Sequence, residues 1–505
     1  MSSDKIDKIE KYGVETVDDI HTVEDREFLE SFSEERKKSL YRKIDWRLVP
    51  MLSLLYLFAY LDRANIGNAK IEGMPKYLHL SDQQYNIVLS IFFVPYIIFE
   101  VPANAILHRY FSQRPSLWIG GLTIVWGLVM TCHGFVKNFS QLMVVRVLLG
   151  VTEAGFFPGA VLICSTWYPR HMLQVRIAIF YTASALAGAF SGLLAFALAK
   201  MDGLGGYKGW SWIFIIEGLA TTLLGLAVPF VLIDTAAGSK WLSDDEKKYI
   251  KIVMREQDAE ASKGEHEGVN WKVIKSVITD WQLLVHTIIY WSNTVPNYSM
   301  KFSMPAIMTA MGYKKEAAQL MTIPPYTIGA VAACFAALYS DKMKRRWPFI
   351  AAAQTLVCIA FAILLPLGYT VKTQKSSQAG SYFAICLACL GYPISPGVNS
   401  WVANNLAGPA RRSVGIAFVI AMGNIGGIIG SYIYMDKEKP RYTTGFAGSL
   451  AFAAAGLIAG CCLEIALIRI NKKRDAMSRE DVLAKYTEEE LAAMGDRSPL
   501  FRYTL

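Results

Sequence analysis

The sequence predicts an all-α polytopic membrane protein with twelve transmembrane helices in two pseudo-symmetric six-helix bundles. Three observations predict it. The 505-residue chain is 53% hydrophobic and only 18% charged, with a mean hydropathy of +0.29, more apolar than a soluble chain of this length. About twelve stretches are apolar over ~20 residues, the length a helix needs to cross a ~30 Å hydrocarbon core at ~1.5 Å per residue. The two halves also echo each other: Ile177-Ala-Ile-Phe and Ile416-Ala-Phe-Val open Gly/Ala-rich segments 239 positions apart, and the basic junctions before Pro115 and Pro348 lie 233 apart. A near-constant offset suggests duplication, with substrate held between the repeats near the midplane.

Residues 1–47 are polar and charged and read as a partly disordered cytoplasmic N-terminal tail. Spans at about 48–69, 86–107, 115–135, 140–164, 173–199 and 211–233 form an N-terminal six-helix bundle, 48–233. The hydrophilic stretch 234–277 is a central cytoplasmic loop, in which Trp241-Leu-Ser-Asp-Asp-Glu opens a surface helix. Spans at about 281–304, 316–339, 348–368, 380–404, 413–434 and 446–470 form a C-terminal bundle, 278–470, and 471–505 form a cytoplasmic C-terminal tail. A long polar segment precedes the first span, so no cleavable signal peptide is expected.

Twelve spans put both tails on one face. That face carries Lys37, Lys38, Arg42, Lys43 and Arg47, the junction arginines Arg109, Arg114, Arg170, Arg176, Arg411 and Arg412, and the cluster from Arg469 to Arg474. By the positive-inside rule it is cytoplasmic, although the opposite loops hold lysines of their own, among them Lys70, Lys76, Lys314 and Lys315. The net charge of +9 is spread over junctions and tails and is not a nucleic-acid signature. All eight cysteines lie in or beside apolar segments. Cys386-Leu-Ala-Cys389 has metal-ligand spacing, but no histidine or second pair accompanies it, so no metal or cofactor is expected.

Ionisable residues inside spans cost about 2.5–3.5 kcal/mol each at the centre, so they face a cavity or a partner. This chain has Asp62 and Arg63 in span 1, Glu100 in span 2, Arg146 and Glu153 in span 4, Glu217 in span 6, His286 in span 7 and Glu464 in span 12. Arg63 lies ~22 Å along span 1 and Arg146 ~9 Å from the outer end of span 4, which places them at similar heights. Glu153 lies two turns below Arg146 on the same face. Two buried arginines at one level suit an anion, because a guanidinium stays charged and offers a planar fork to a carboxylate. A carboxyl out of water, such as Glu153, can exchange a proton, with Asp62 as a second candidate. Each also has a purely structural reading, as a buried ion pair or as a donor to backbone carbonyls; Glu100, Glu217, His286 and Glu464 fit that reading best.

Tyr60, Asn65, Tyr96, Phe157, Tyr181, Asn293, Tyr298, Tyr326, Asn399 and Asn424 could line a cavity, with prolines beside several of them at 95, 158, 296, 324–325, 393 and 396. Ser184, Gly188 and Gly192, and in the matching span Gly423, Gly427 and Ser431, make small-residue faces for close helix approach.

Several ordered motifs carry a family resemblance: Tyr60-Leu-Asp-Arg-Ala-Asn-Ile-Gly-Asn-Ala, Arg146-Val-Leu-Leu-Gly-Val-Thr-Glu-Ala-Gly-Phe-Phe-Pro-Gly, Ser165-Thr-Trp-Tyr-Pro-Arg, Gly209-Trp-Ser-Trp-Ile-Phe-Ile-Ile-Glu-Gly, Pro324-Pro-Tyr, Trp401-Val-Ala-Asn-Asn-Leu-Ala-Gly and Gly423-Asn-Ile-Gly-Gly-Ile-Ile-Gly. Over residues 40–470 the chain resembles the fungal anion:cation symporters, the allantoate permease-like branch of the major facilitator superfamily. The resemblance implies the major facilitator fold and proton-coupled import of a small organic anion such as nicotinate, pantothenate or allantoate, across a membrane that is by analogy the plasma membrane. It also implies that Arg63, Arg146 and Glu153 belong to the working core. The chain departs from the pattern at the junction between spans 2 and 3, where His108 precedes Arg109, and in span 7, which carries Asn297 and Lys301. An exporter of the same superfamily is the alternative. The Gly-Pro pair usual in span 5 of antiporters is missing from Ser184-Ala-Leu-Ala-Gly-Ala-Phe-Ser-Gly. A non-transporting receptor fits less well, since the tails are short, and no nucleotide-binding or metal motif points to an enzyme.

Overall fold

The computed structural model describes residues 23–111, 113–264, 271–343, 345–367, 375–407, 409–487, 490–491 and 494–505. Twelve long helices follow one another: α1 (Glu34–Ile71), α2 (Asp82–Ile106), α3 (Pro115–His133), α4 (Phe139–Trp167), α5 (Arg170–Ala199), α6 (Gly209–Val231), α7 (Trp281–Ala310), α8 (Lys315–Ser340), α9 (Trp347–Leu367), α10 (Gln378–Asn405), α11 (Pro409–Ile433) and α12 (Thr443–Asp475). Ten of them are long and apolar enough to cross a membrane over their described residues. The other two, α5 and α7, are 30 residues each and long enough to span. Helix α7 is the more polar because it turns buried Asn293, Thr294, Ser299 and Lys301 inward rather than to lipid.

Four of these helices are broken where the sequence places proline. Helix α2 is interrupted at Phe92, α4 between Glu153 and Phe156, α8 at Met321 and Thr322, and α10 between Leu390 and Pro393. Proline lacks the amide hydrogen and clashes with the preceding turn, so the ladder opens beside it.

The halves pack alike. Helix α1 lies against α5 and α6 as α7 lies against α11 and α12, and α3 pairs with α6 as α9 pairs with α12. Glycine permits the tightest of these approaches: a Cβ on Gly127 would sit 2.6 Å from the Thr222 amide, and one on Gly218 2.4 Å from that of Thr131. The repeat extends to charge. Arg176 of α5 pairs with Asp45 of α1 at 3.0 Å, and 235 positions further on Arg411 of α11 pairs with Asp280 at the start of α7.

Structure extends into the tails. A helix at Val23–Ser31 and the first turns of α1 occupy a stretch expected to be partly disordered; residues 1–22 lie outside the described residues. The loop helix Asp244–Gly264 docks beside them, with Lys43 Nζ 2.6 Å from Glu246 Oε1 and the rings of Phe32 and Tyr249 stacked at 4.5 Å. Residues 496–505 lie across the ends of the second bundle. Thr504 exchanges bonds with Asn405 at 2.7 and 3.0 Å, and Tyr503 with Asn471 at 2.9 and 3.0 Å. The Trp401 indole donates to the Thr504 carbonyl at 2.9 Å.

The bundles meet on the face opposite the tails. Lys70 Nζ lies 2.7 Å from Asp436 Oδ1, Gln319 donates to Glu72 at 3.1 Å, and Ser90 and Tyr432 share a bond of 3.0 Å. The small-residue faces of α5 and α11 take part. A Cβ on Gly192 would lie 2.4 Å from the Gln319 carbonyl of α8, and one on Gly427 2.4 Å from the Phe93 ring of α2. On this face the two halves are closed against each other.

Candidate functional site

Below that closure, at the level of the helix breaks, a cavity of about 70 Å³ lies between the bundles. The first bundle contributes Tyr60, Arg63, Tyr96, Glu100, Glu153 and Phe157, and the second contributes Tyr290, Asn297, Tyr298, Lys301, Asn399 and Asn424.

Its centre is an ion pair. Arg63 of α1 donates from Nε to Glu153 Oε1 at 2.7 Å, and its Nη2 lies 2.6 Å from the same oxygen. Both groups are buried, at 6% and 1% exposure. One turn before Glu153, α4 packs tightly on α2: a Cβ on Gly150 would lie 2.3 Å from the Phe92 carbonyl. Tyr60, Phe92 and Tyr96 surround the guanidinium with ring centroids at 5.0, 5.1 and 4.7 Å, a cation–π cage. Glu153 Oε2 has no hydrogen-bond partner among the described residues, so one oxygen holds the arginine while the other is open to a proton.

Across the cavity stands Lys301 of α7. It is 4% exposed, and its Nζ lies 4.1 Å from the Tyr60 ring centroid with no hydrogen-bond partner among the described residues. It does not reach out to the membrane surface in the way a terminal lysine would. A buried ammonium needs an anion or several acceptors, and here, among the described residues, a ring face is its close contact while Arg63 and Glu153 lie within electrostatic range. Tyr290, Thr294, Asn297, Tyr298 and Lys301 all line the cavity. Their spacing of four, three, one and three is one stripe of a helix. That polar stripe was the sequence signal for this wall. Glu100, read from the sequence as structural, lines the cavity too.

The other sequence candidates lie elsewhere. Asp62, one position and about 100° around α1 from Arg63, faces α3 and α6, where Trp126 Nε1 donates to it at 2.7 Å and Thr221 at 3.4 Å. Asn65 donates to Glu217 at 2.6 Å inside the first bundle. Arg146 is buried two turns above Glu153 toward the closed face, within electrostatic range of Tyr85 and Glu153, and does not line the cavity. Similar height and shared face are therefore not shared access, because the closed face covers α4 at that level. Asn293 donates to Ser395 at 2.6 Å, and with Tyr326 it lines a separate small hollow in the second bundle. The Tyr181 side chain lies outside the described residues. His286 packs edge-on against Trp401 with Nδ1 2.8 Å from the Gln282 carbonyl, and Glu464 stands near the end of α12. No group of metal ligands occurs among the described residues.

Comparison with known proteins gives this architecture a family. The profile of the Major Facilitator Superfamily matches residues 52–431. The chain is 37% identical to the MFS-type transporter cnsO of Penicillium expansum over 485 residues, 94% of this chain and 92% of that one. It is 33% identical to the MFS transporter prlL of Fungal sp. (strain NRRL 50135) over 464 residues, 89% and 91% of the two chains. Among solved structures, the xylose transporter XylE from E. coli, in a partially occluded inward open conformation, superposes with a TM-score of 0.63 at 13% identity, covering 82% of this chain and 96% of that one. With a central cavity between two six-helix repeats and relatives that are transporters, the chain belongs to the major facilitator superfamily and is a multi-pass membrane transporter.

Proposed function

We propose that this transporter is a proton-coupled importer of a small organic anion, a carboxylate of the class carried by the fungal anion:cation symporters, and that it works at the plasma membrane by alternating access. The observation that carries the reading is Lys301: a buried ammonium on a cavity wall, unpartnered among the described residues, opposite an arginine whose counter-charge is a carboxylate. Such a site is complete only when an anion enters it.

The mechanism follows from the pair. With Glu153 ionised, Arg63 is engaged and Lys301 alone attracts the anion. A proton on Glu153 removes the charge that holds Arg63, and the guanidinium then turns its donors to the substrate together with Lys301. Anion and proton thereby favour each other's binding, which is the requirement for symport. The tail face is cytoplasmic on the positive-inside reading, so the closed face is the outer one, and rocking of the bundles about the cavity exchanges access.

The test is uptake of labelled carboxylates, including nicotinate, pantothenate, allantoate and small mono- and dicarboxylates, at acid and neutral external pH with and without a protonophore. Accumulation of one of them, faster at acid pH and abolished by the protonophore, supports the reading. Uptake indifferent to both would leave a carrier without proton coupling. Efflux in place of uptake would reverse the direction.

A further inference from the structure

We infer that the anion is a planar aromatic monocarboxylate that bears an O–H or N–H donor away from its carboxylate; this rests on the reading of the cavity as an anion carrier. Three features of the cavity point to it, and its size agrees.

The first is the walls. Tyr56, Tyr60 and Phe157 from one bundle face Tyr290, Tyr298 and Tyr392 from the other. Rings on both sides of a narrow space reward a flat π-system by stacked and edge contacts beyond simple area burial, roughly 2- to 10-fold in affinity over a saturated ring. At about 70 Å³ the cavity holds about five waters, at ~15 Å³ for each water, which suits one substituted ring.

The second is the charge count. Among the described residues the cavity is lined by two cations, Arg63 and Lys301, and two carboxyls, Glu100 and Glu153. With all four ionised the empty site is neutral. A monoanion bound with one proton leaves it neutral again, whereas a dianion with one proton leaves a net negative charge to move through the low-dielectric centre of the protein. With Glu153 as the one carboxyl that takes a proton, only the empty and the doubly loaded forms are neutral, and charge balance pairs that proton with a monoanion; a dianion would need Glu100 to take a second.

The third is Asn399 of α10. Its Nδ2 donates to the Tyr290 hydroxyl at 3.3 Å, but its Oδ1 is buried with no hydrogen-bond partner among the described residues. A buried acceptor left unpaired is costly. Like Lys301, it lies on the second bundle's wall. The ammonium there calls for an acceptor on the substrate, and the amide oxygen for a donor.

The experiment uses the full chain in lipid nanodiscs with radiolabelled 4-hydroxybenzoate as the probe, competed by 3-hydroxybenzoate, 3-aminobenzoate, benzoate, cyclohexanecarboxylate, succinate and terephthalate. Ring-bearing monocarboxylates with a donor are expected to compete best, benzoate about 10-fold less well, cyclohexanecarboxylate a further 2- to 10-fold less well, and the dianions less well than the monoanionic rings, their second carboxylate facing Glu100 and Glu153. Asn399→Leu is expected to weaken 4-hydroxybenzoate about 10-fold and bring its ratio to benzoate near one, while the purified variant keeps a cooperative melting transition. Cyclohexanecarboxylate matching benzoate, or succinate outcompeting every ring, would overturn the aromatic class and leave the anion reading standing. Benzoate equal to its hydroxylated and amino forms would overturn the donor requirement. If no carboxylate competes and labelled neutral phenols bind instead, the anion reading itself falls.

Discussion

Replacing Lys301 by methionine separates a binding cation from a structural one, because the two roles predict opposite signs. Lys301 is 4% exposed, and its only close partner among the described residues is the Tyr60 ring at 4.1 Å. Desolvating an ammonium costs several kcal/mol after relaxation, and a ring face returns about 2 kcal/mol when water is excluded. The remainder is uncompensated in the empty protein. Methionine keeps the length and the apolar stem without the charge, so Lys301→Met is expected to stabilise the empty carrier by about 1–3 kcal/mol. On the proposed reading the same change removes a charge-assisted bond to the substrate carboxylate, worth about 1.5–3 kcal/mol, or about 10- to 150-fold in affinity.

The assay is thermal melting of the purified protein with and without a transported carboxylate, beside uptake kinetics in cells. The expected pattern is a higher melting temperature, loss of the ligand-induced rise, and a large increase in KM. Lys301→Arg should keep anion binding in part, since guanidinium also lies well over a ring. A lower melting temperature with unchanged KM would show that Lys301 supports the fold through contacts of its own, and the functional reading would lose the observation that carries it.

Three further outcomes follow from the geometry. Glu153→Gln is expected to abolish accumulation against a gradient and flatten the pH dependence of uptake while exchange of substrate for substrate continues; retained concentrative uptake with its normal pH profile would remove Glu153 from coupling. Gly427→Leu drives a side chain into the Phe93 ring, where even a Cβ would sit 2.4 Å away. Spin labels at Gln83→Cys and Lys437→Cys, on opposite bundles of the closed face, should then move apart by several ångströms, and an unchanged distance distribution would show that the contact yields locally. Asn405→Ala with Asn471→Ala removes four bonds to residues 503–504, at about 1 kcal/mol each, and should lower the melting temperature and expose that segment to protease; unchanged protease resistance would show that the segment is held by its other contacts.

The fold was legible because hydrophobic length and repeat offset are one-dimensional properties. Ten spans pass a hydropathy criterion in the described residues, and α7 falls short because its polar residues face inward. The tails were less legible: residues 496–505 are mixed in sequence, and side chains from distant helices, among them Gln282, Trp401, Asn405, Arg411, Asn471 and Arg474, give them a fixed place. Among site residues, depth along a helix follows from position alone, and Arg63, Glu153, Tyr60, Tyr96, Phe157, Tyr298 and Asn424 do converge on one cavity. Azimuth and covering do not follow from depth. Asp62 adjoins Arg63 yet faces Trp126, and Arg146 shares a face with Glu153 yet lies under the closed contact opposite the tails. Lys301 was visible as an oddity in span 7, but its burial required knowing that α7 lines the cavity with one stripe.

The distribution of charge between the bundles bears on how binding becomes motion. The paired charges, Arg63 and Glu153, sit together in the first bundle, and the lone cation, Lys301, sits in the second. An anion held by Lys301 alone is a ligand of one bundle and does nothing to draw the two together. On the proposed reading, once a proton frees Arg63 the same anion bridges both, and the attraction acts across the gap that must close before the contacts at Lys70 and Asp436 on the closed face can part. On this reading the coupling ion never needs to touch the substrate. It changes which bundle the substrate holds, and a carrier with both cations on one side would bind as tightly without being driven to reorient.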